Sequence, residues 1–212
     1  MRRIFLFLTT LLPLLISSCS TGTLQATPEI VTVYSSSSDQ PWLNDLYDCA
    51  ESSVALSRVD NPASADIQLR IGEPKFLTSF AYQIDKEEVL IVTHRQSPVQ
   101  NLTIEEARAL FMGLGDPSVQ VWVYASGDDL FEVFDQFVMK GRSVSSSAKI
   151  AVTPQQMSDV LNSDVNSIGI LPRHWKAGDV RDVYSVATVP VLVITQNEPT
   201  GVLNQLIGCL QK

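Results

Sequence analysis

The sequence predicts an α/β fold built on a largely parallel sheet. Short runs of β-branched and aliphatic residues recur along the 212-residue chain, as in Ile30–Tyr34 and Val189–Thr195. Most of these runs are followed by an amphipathic stretch with a recognisable helix start or stop signal. Strands that alternate with helices in this way are typical of βαβ units. The composition, 45% hydrophobic and 18% charged, excludes a disordered or collagen-like chain.

The first 18 residues are predicted to be a signal peptide. Arg2 and Arg3 give a positive start, and Ile4–Ile16 is an apolar run of 13 residues, shorter than the roughly 20 that a spanning helix needs. The run ends in Ile-Ser-Ser-Cys, which resembles the cleavage site of bacterial lipoproteins. We therefore expect lipidation at Cys19 and a tether over residues 19–29. A plain secretory signal and a short membrane anchor are the alternatives.

The first part of the folded chain is predicted to contain several strands and one helix. A polar loop, Ser35–Gln40, separates the first strand from a helix over Pro41–Ala50. Proline suits the first turn of a helix, and Asp39 can cap it. Strands are predicted at residues 30–34, which are rich in β-branched side chains, at 65–71, where apolar and polar residues alternate, and at 54–59, 80–84 and 88–93.

The middle and last parts repeat this pattern. Thr103 and Glu106 form a capping box for a helix that ends at Gly113. A second helix follows Ser126-Gly127-Asp128-Asp129, and a third begins at Thr153-Pro154 and ends near Asn162. The remaining predicted elements are strands at 119–124, 149–152 and 167–171, an extended segment at 181–188, a strand at 189–195 and a helix at 199–210.

The order of short motifs resembles one family. Tyr34–Ser38 is similar to a first strand and its Ser-rich loop, and Ala65-Asp66-Ile67 resembles a later strand. Leu102–Gly113 looks like the helix L-T-x-E-x-x-x-x-[IL]-F-x-G, and Ser126-Gly127 with its two following phenylalanines resembles an S-G-T anion loop. Met157–Leu171 looks like a helix–strand unit. This ordered set, over about residues 30–212, resembles the substrate-binding lipoproteins of bacterial ABC transporters, the phosphate-binding type in particular.

The resemblance implies a periplasmic-binding-protein-like fold of two α/β lobes joined by two crossover strands, with mixed, mostly parallel pairing. Lobe one would comprise residues 30–90 and 188–212, and lobe two residues 91–187. A small ligand would bind in the cleft between the lobes. The resemblance also implies a monomer on the extracytoplasmic face of the cell membrane, which would deliver its ligand to an ABC permease.

The chain has three cysteines. If Cys19 carries lipid, Cys49 and Cys209 remain, and an even pair in an oxidising compartment predicts one disulfide. Two buried free thiols are the alternative. The family resemblance places both residues in lobe one, where a bridge would close a loop of about 160 residues and add about 4–5 kcal/mol in the chain-entropy model.

The candidate ligand-binding residues lie at predicted helix starts. Free N–H groups and the aligned peptide dipoles at such starts attract anions. The family resemblance assigns this role to two loops and one basic residue, namely Ser36, Ser37, Ser38, Ser126, Gly127, Asp128 and Arg173. The alternatives are a solvated serine loop, simple capping by Ser126 with Asp129, and a surface position for Arg173.

The chain departs from the phosphate-binding pattern in ways that leave the ligand class open. Asp128 stands where the family has Thr, and no Arg precedes Ser126. Asp39, Asp128 and Asp129 would crowd one cleft and repel a dianion. An oxyanion such as phosphate is one hypothesis, and a ligand with a cationic or neutral polar part is another. A degenerate fold that acts as a ligand-free or sensory surface module is the third.

Other function classes lack support in the sequence. The net charge of −8 excludes a basic nucleic-acid binder. His94 and His174 are far apart in sequence and lack metal-ligand spacing, and the chain contains no G-x-S-x-G elbow, P-loop or C-x-x-C. We therefore predict no catalytic residues, no metal and no cofactor. The expected partners are a small polar solute or oxyanion, the permease, and the membrane through the N-terminal lipid.

Overall fold

The computed structural model describes residues 28–52 and 54–212. The predicted signal peptide, Cys19 and the tether as far as residue 27 lie outside the described residues. Within the described ranges, no helix has both the length and the apolar character needed to cross a bilayer.

The described residues form eight strands and five α-helices. The strands are β1 (Glu29–Tyr34), β2 (Val54–Arg58), β3 (Ile67–Ile71), β4 (Phe80–His94), β5 (Gln120–Val123), β6 (Lys149–Ile150), β7 (Ser167–Pro172) and β8 (Val180–Thr195). The helices are α1 (Gln40–Cys49), α2 (Ile104–Phe111), α3 (Asp129–Phe134), α4 (Pro154–Ser163) and α5 (Gly201–Leu210). Single 3-10 turns occur at Pro62–Ser64 and Arg173–Trp175.

The strands form one mixed sheet in the order β2-β1-β3-β8-β4-β7-β5-β6. Strand β1 pairs in parallel with β2 and β3, and β5 pairs in parallel with β6 and β7. The antiparallel pairs all involve β4 or β8. The predicted α/β class, with mixed and mostly parallel pairing, is confirmed.

Two long antiparallel strands connect the two ends of the sheet. Strands β4 and β8 pair from Phe80↔Thr195 to His94↔Val180. Their Phe80/Thr195 end lies beside β3, and their other end lies beside β7. These are the crossover strands that the resemblance implied.

Each of these strands was predicted as two segments, and both predictions are wrong. For β4 the predicted strands were residues 80–84 and 88–93, with a break over Asp85–Glu87. The strand instead continues through β-bulges, including one between Gln83 and Asp85. Glu87 is buried within it; its carboxylate accepts a hydrogen bond from the backbone N–H of Arg173 (2.8 Å) and pairs with His174. Contacts with a segment far away in sequence thus stabilise a polar residue inside the strand.

Helix starts follow local sequence closely at two places. Thr103 and Glu106 form the predicted capping box of α2, and the Thr153 side chain accepts from the backbone N–H of Gln156 at the start of α4. Helix α3 differs, because it is capped by Asp128 and not by Ser126. After Phe134 it continues directly as a π-helical turn, Asp135–Met139, whereas the sequence pattern predicted one regular helix.

The apolar side chains form one continuous core on the sheet. Val89, Leu90, Ile91 and Val92 in β4 are fully buried, and the rings of Phe111 and Phe134 lie 4.6 Å apart.

A disulfide joins α1 to α5. It links Cys49 at the end of α1 to Cys209 in α5, with the two Cα atoms 6.0 Å apart. This bond anchors the last helix of the chain beside the first.

Candidate functional site

A cavity of about 160 Å³ lies where β1 ends, beside β3, with the starts of α1 and α3 around it. Most of the lining residues have polar side chains, and the full set is Tyr34, Ser36, Asp39, Pro62, Gln68, Leu69, Arg70, Gly127, Asp128 and Asp129. The cavity is therefore built from two parts of the chain that are far apart in sequence, the segment from β1 to β3 and the loop before α3.

Asp39 lines this cavity at the start of α1. It was expected to cap that helix, but its side chain makes no capping hydrogen bond there. Instead its Oδ2 atom accepts from the backbone N–H of Ser36 at 2.8 Å. The residue is fully buried, and its Oδ1 atom has no hydrogen-bond partner among the residues that the structure describes.

Asp128 and Asp129 supply the second part of the cavity wall. The Asp128 Oδ1 atom accepts from the backbone N–H of Leu130 at 2.9 Å and caps α3. Asp129 is buried; its Oδ1 atom accepts from the same N–H at 3.1 Å, and its Oδ2 atom accepts from the N–H of Ile71 in β3 at 2.8 Å. The Asp129 side chain thereby joins α3 to β3.

These hydrogen bonds matter for anion binding. A helix start attracts an oxyanion because its backbone N–H groups lack partners. At the start of α3, the N–H group of Leu130 already donates to Asp128 and Asp129. Beside it, the N–H group of Ser36 in the loop donates to Asp39, and that of Ile71 in β3 donates to Asp129. Carboxylate oxygens therefore occupy these donors, and the three aspartates line the cavity themselves.

Each of the three carboxyl groups has a raised pKa. Burial raises the pKa of Asp128 to about 7, and the nearby Asp129 charge adds to the effect. The pKa of Asp39 lies well above its usual value, first because of burial and then because of Asp129. Burial also raises the pKa of Asp129, although its N–H donors and the Arg70 charge oppose the shift. Asp128 therefore titrates near neutral pH, and the pKa values of the other two carboxyl groups lie above their usual range.

Arg70 is the cationic side chain among the residues lining the cavity. It extends from β3 and pairs with Glu132 of α3, so that its charge is largely compensated. Its Nε atom is buried and has no hydrogen-bond partner within the described ranges. The cavity thus holds three acids against one already paired base.

The structure brings some of the predicted site residues together. Ser36, Gly127 and Asp128 line the cavity. Gly127 has a backbone φ of +102°, and a Cβ atom built there would meet no heavy atom within 4 Å, so the backbone adjoins open space. Asp39 and Asp129, which were expected to crowd the same cleft, line it as well.

The other predicted site residues lie elsewhere. Ser37, Ser38 and Ser126 are not among the residues that line the cavity. The Ser38 carbonyl accepts from the indole N–H of Trp175 at 3.3 Å. The Arg173 guanidinium, half exposed, pairs with Glu88 at 2.6 Å and has no place in the cavity wall.

Sequence reasoning did not identify Tyr34, Gln68 and Arg70 as site residues. Each occupies a half-buried strand position whose neighbours within the strand are buried. A charged residue within the alternating strand Ile67–Ile71 is normally assigned to a solvated face. Only the ion pair with Glu132, which lies far along the chain, reveals the position of Arg70.

Within residues 28–52 and 54–212, no group of three His, Cys, Asp or Glu side chains is arranged to hold a metal ion. His174 is committed to Glu87 and packs edge-on against Trp42, with ring centroids 5.0 Å apart.

Comparisons with known proteins identify the fold. No family model and no curated protein sequence matches the chain. Among solved structures, a Clostridium perfringens protein assigned as a phosphate ABC transporter substrate-binding protein, with bound phosphate, aligns with a TM-score of 0.71 and 14% identity over 86% of this chain and 93% of that one. The fold is the two-lobe periplasmic-binding-protein-like fold.

Two further structures show how widely this fold is shared. An ABC-type phosphate transport receptor from Vibrio cholerae aligns with a TM-score of 0.66 and 15% identity, over 86% of this chain and 93% of that one. The regulatory domain of Synechocystis CcmR, in complex with 2-PG, aligns with a TM-score of 0.63 and 11% identity, over 86% and 96%. At these identities the comparisons establish the periplasmic-binding-protein-like fold and leave the ligand to the site itself.

Proposed function

We propose that this protein is an extracytoplasmic, lipid-anchored solute-binding protein that holds a small polar solute for uptake by an ABC permease. The observation that carries the proposal is the polar cavity at the start of α1 and α3. The buried Oδ1 atom of Asp39 has no partner among the described residues, and such an atom is costly to keep inside a folded protein unless something donates to it. A bound solute would supply that donor.

The architecture gives the proposed binding a mechanism. We assign residues 30–90 with 188–212 to lobe one and residues 91–187 to lobe two. The cavity would then lie between lobes, because Asp39 and Arg70 fall in the first and Asp128 in the second. Bending in the bulged strands β4 and β8 would open and close it.

The location rests on the N-terminal sequence. Residues 1–18 would be removed as a signal peptide, and Cys19 would carry the lipid that holds the protein at the membrane surface. Residues 19–29 would serve as the tether. Expression with radiolabelled palmitate tests this assignment: wild type should incorporate label, and Cys19→Ala should not.

A second candidate is a sensory or ligand-free surface module. One observation favours it: three backbone N–H groups beside the cavity, those of Ser36, Ile71 and Leu130, are already occupied by Asp39, Asp129 and Asp128. The shared fold of the CcmR regulatory domain shows that the same architecture also occurs in regulatory domains. Such a module would not need a transported solute.

Thermal unfolding of the full chain in mild detergent, across a panel of oxyanions, sugars, amino acids and amines, separates the two candidates. A solute at 100 times its dissociation constant adds about 2.7 kcal/mol, which raises the unfolding temperature by roughly 5–10 °C for a chain of this size. Gln68→Trp, which places a large ring on the cavity wall, should abolish the shift.

Gln136→Trp is the matched control, because Gln136 is exposed on the π-helical turn and does not line the cavity. It should retain the shift. If wild type responds to none of the solutes, or if Gln68→Trp responds as wild type does, the solute-binding proposal fails.

A further inference from the structure

Most of the hydrogen-bonding capacity left in the cavity wall belongs to acceptors, although the buried Nε donor of Arg70 also has no partner within the described residues. The N–H groups of Ser36, Ile71 and Leu130 are consumed by the aspartates. An ionised carboxylate accepts through two oxygens and about four lone-pair sites. One or two backbone donors per aspartate therefore leave acceptor capacity on each of Asp39, Asp128 and Asp129.

A second observation concerns the hydrogen bonding of one of these acids. The Asp39 side chain is fully buried and lines the cavity, and its Oδ1 atom lacks a hydrogen-bond partner within the described part of the chain. A buried acceptor of this kind is normally satisfied by a donor. Because the residue lines the cavity, a molecule inside the cavity can supply that donor.

The balance of charges around the cavity favours a positively charged ligand over a negatively charged one. Three aspartates line the cavity, and the one guanidinium among the lining residues is paired with Glu132. A bound anion would meet carboxyl oxygens at each of the occupied backbone donors. A cation would meet complementary charge at the same positions.

We propose that this cavity binds the primary ammonium group of a small solute. An ammonium group carries three N–H donors that diverge in direction, and the three aspartates approach the cavity from the starts of α1 and α3. The volume of about 160 Å³ has room for several water-sized groups, which suits a solute of a few heavy atoms. This inference rests on the proposed solute-binding function and specifies its ligand class.

The direction in which protons move on binding distinguishes an ammonium ligand from an oxyanion. The titratable and charged groups in the cavity wall are Tyr34, Asp39, Arg70, Asp128 and Asp129. Glu132 pairs with Arg70, and the buried Tyr124 lies close enough to Asp128 and Asp129 for their charges to raise its pKa. Because burial raises the pKa values of the aspartates, an arriving cation would lower them and release protons. An arriving oxyanion would raise them further and take protons up.

The test is calorimetric titration of the full chain in mild detergent at pH 7, in two buffers of different ionisation enthalpy. The probes are ethanolamine, glycine, potassium chloride and inorganic phosphate. We expect ethanolamine or glycine to bind with net proton release, and potassium and phosphate to give no saturable heat. Binding of both amines supports recognition through the ammonium group alone, whereas binding of glycine alone supports it with an added carboxylate contact to Arg70.

Substitution of single aspartates tests whether the amine binds in this cavity. Asp39→Asn keeps the size of the side chain and removes its charge, and should weaken amine binding at least tenfold. Asp128→Asn should do the same and serves if Asp39→Asn fails to fold. Asp45→Asn, at an exposed position of the same helix α1, is the matched control and should bind as wild type does.

Three results overturn the inference. Phosphate binding with proton uptake, and no amine binding, would preserve the solute-binding function and refute the ammonium ligand. Amine affinity unchanged by both Asp39→Asn and Asp128→Asn would place the amine elsewhere. If neither these probes nor the wider thermal panel bind, the proposed function fails together with the ligand class.

Discussion

Among single residues, the main feature is the use of carboxylates as internal partners for backbone N–H groups. Asp39, Asp128 and Asp129 each satisfy a backbone donor and still line the cavity. The acids were recognisable in the sequence, and so was their crowding. Their partners were not, because the contact from Asp129 to Ile71 joins distant parts of the chain and no local pattern encodes it.

The raised pKa of Asp128 predicts a pH dependence of stability. Its pKa is about 7 in the folded protein against a usual 3.8, so between about pH 4 and pH 7 the folded state holds more protons than the unfolded one. Stability therefore falls as pH rises through this window. Since one pKa unit corresponds to about 1.4 kcal/mol, the fall is on the order of a few kcal/mol.

Asp128→Asn tests this prediction. The variant should lose much of the pH dependence, so that its free energy of unfolding in urea gains on wild type between pH 4 and pH 8. The amide oxygen of Asn can still accept from Leu130. Asp45→Asn should follow the wild-type curve. Parallel curves for wild type and Asp128→Asn would show that this carboxyl group titrates normally.

Among the helices and strands, those set by local sequence signals were predicted correctly, whereas those that depend on long-range contacts were not. The capping residues Thr103 and Thr153 act on N–H groups in the first turn that follows them, and their helices begin where the sequence predicts. Strand β4 depends instead on Glu87, which is buried against His174 and the Arg173 backbone. The sequence pattern therefore predicted most strands and helices. It wrongly divided β4 and β8, each of which is one continuous strand in the structure.

The disulfide between α1 and α5 should contribute substantially to stability. It links residues 160 positions apart, and the chain-entropy model assigns such a loop about 4–5 kcal/mol. The double variant Cys49→Ser with Cys209→Ser should lower the free energy of unfolding by about this amount in a urea titration. Reduced wild-type protein is the control and should show a similar loss. An unchanged unfolding midpoint in both would mean that helix packing alone anchors α5.

At the scale of the whole molecule, the fold could be predicted from the order of the strands and helices along the chain. The ordered motifs between residues 30 and 212 led to a two-lobe architecture, and the structure and its neighbours share that architecture. The ligand class could not be predicted in the same way. The ligand class that we propose depends on which charges meet across the cavity, and the ion pair of Arg70 with Glu132, between β3 and α3, enters that argument.

The cavity beside Asp39 and Asp128 is the solute site that we propose. The most direct test is a crystal structure determined from crystals grown with saturating ethanolamine. We expect electron density for the amine in the cavity, with its nitrogen within hydrogen-bond distance of the Asp39 Oδ1 atom. A cavity that contains only water at saturating ethanolamine, or an amine bound at another surface, would show that this cavity is not the amine site.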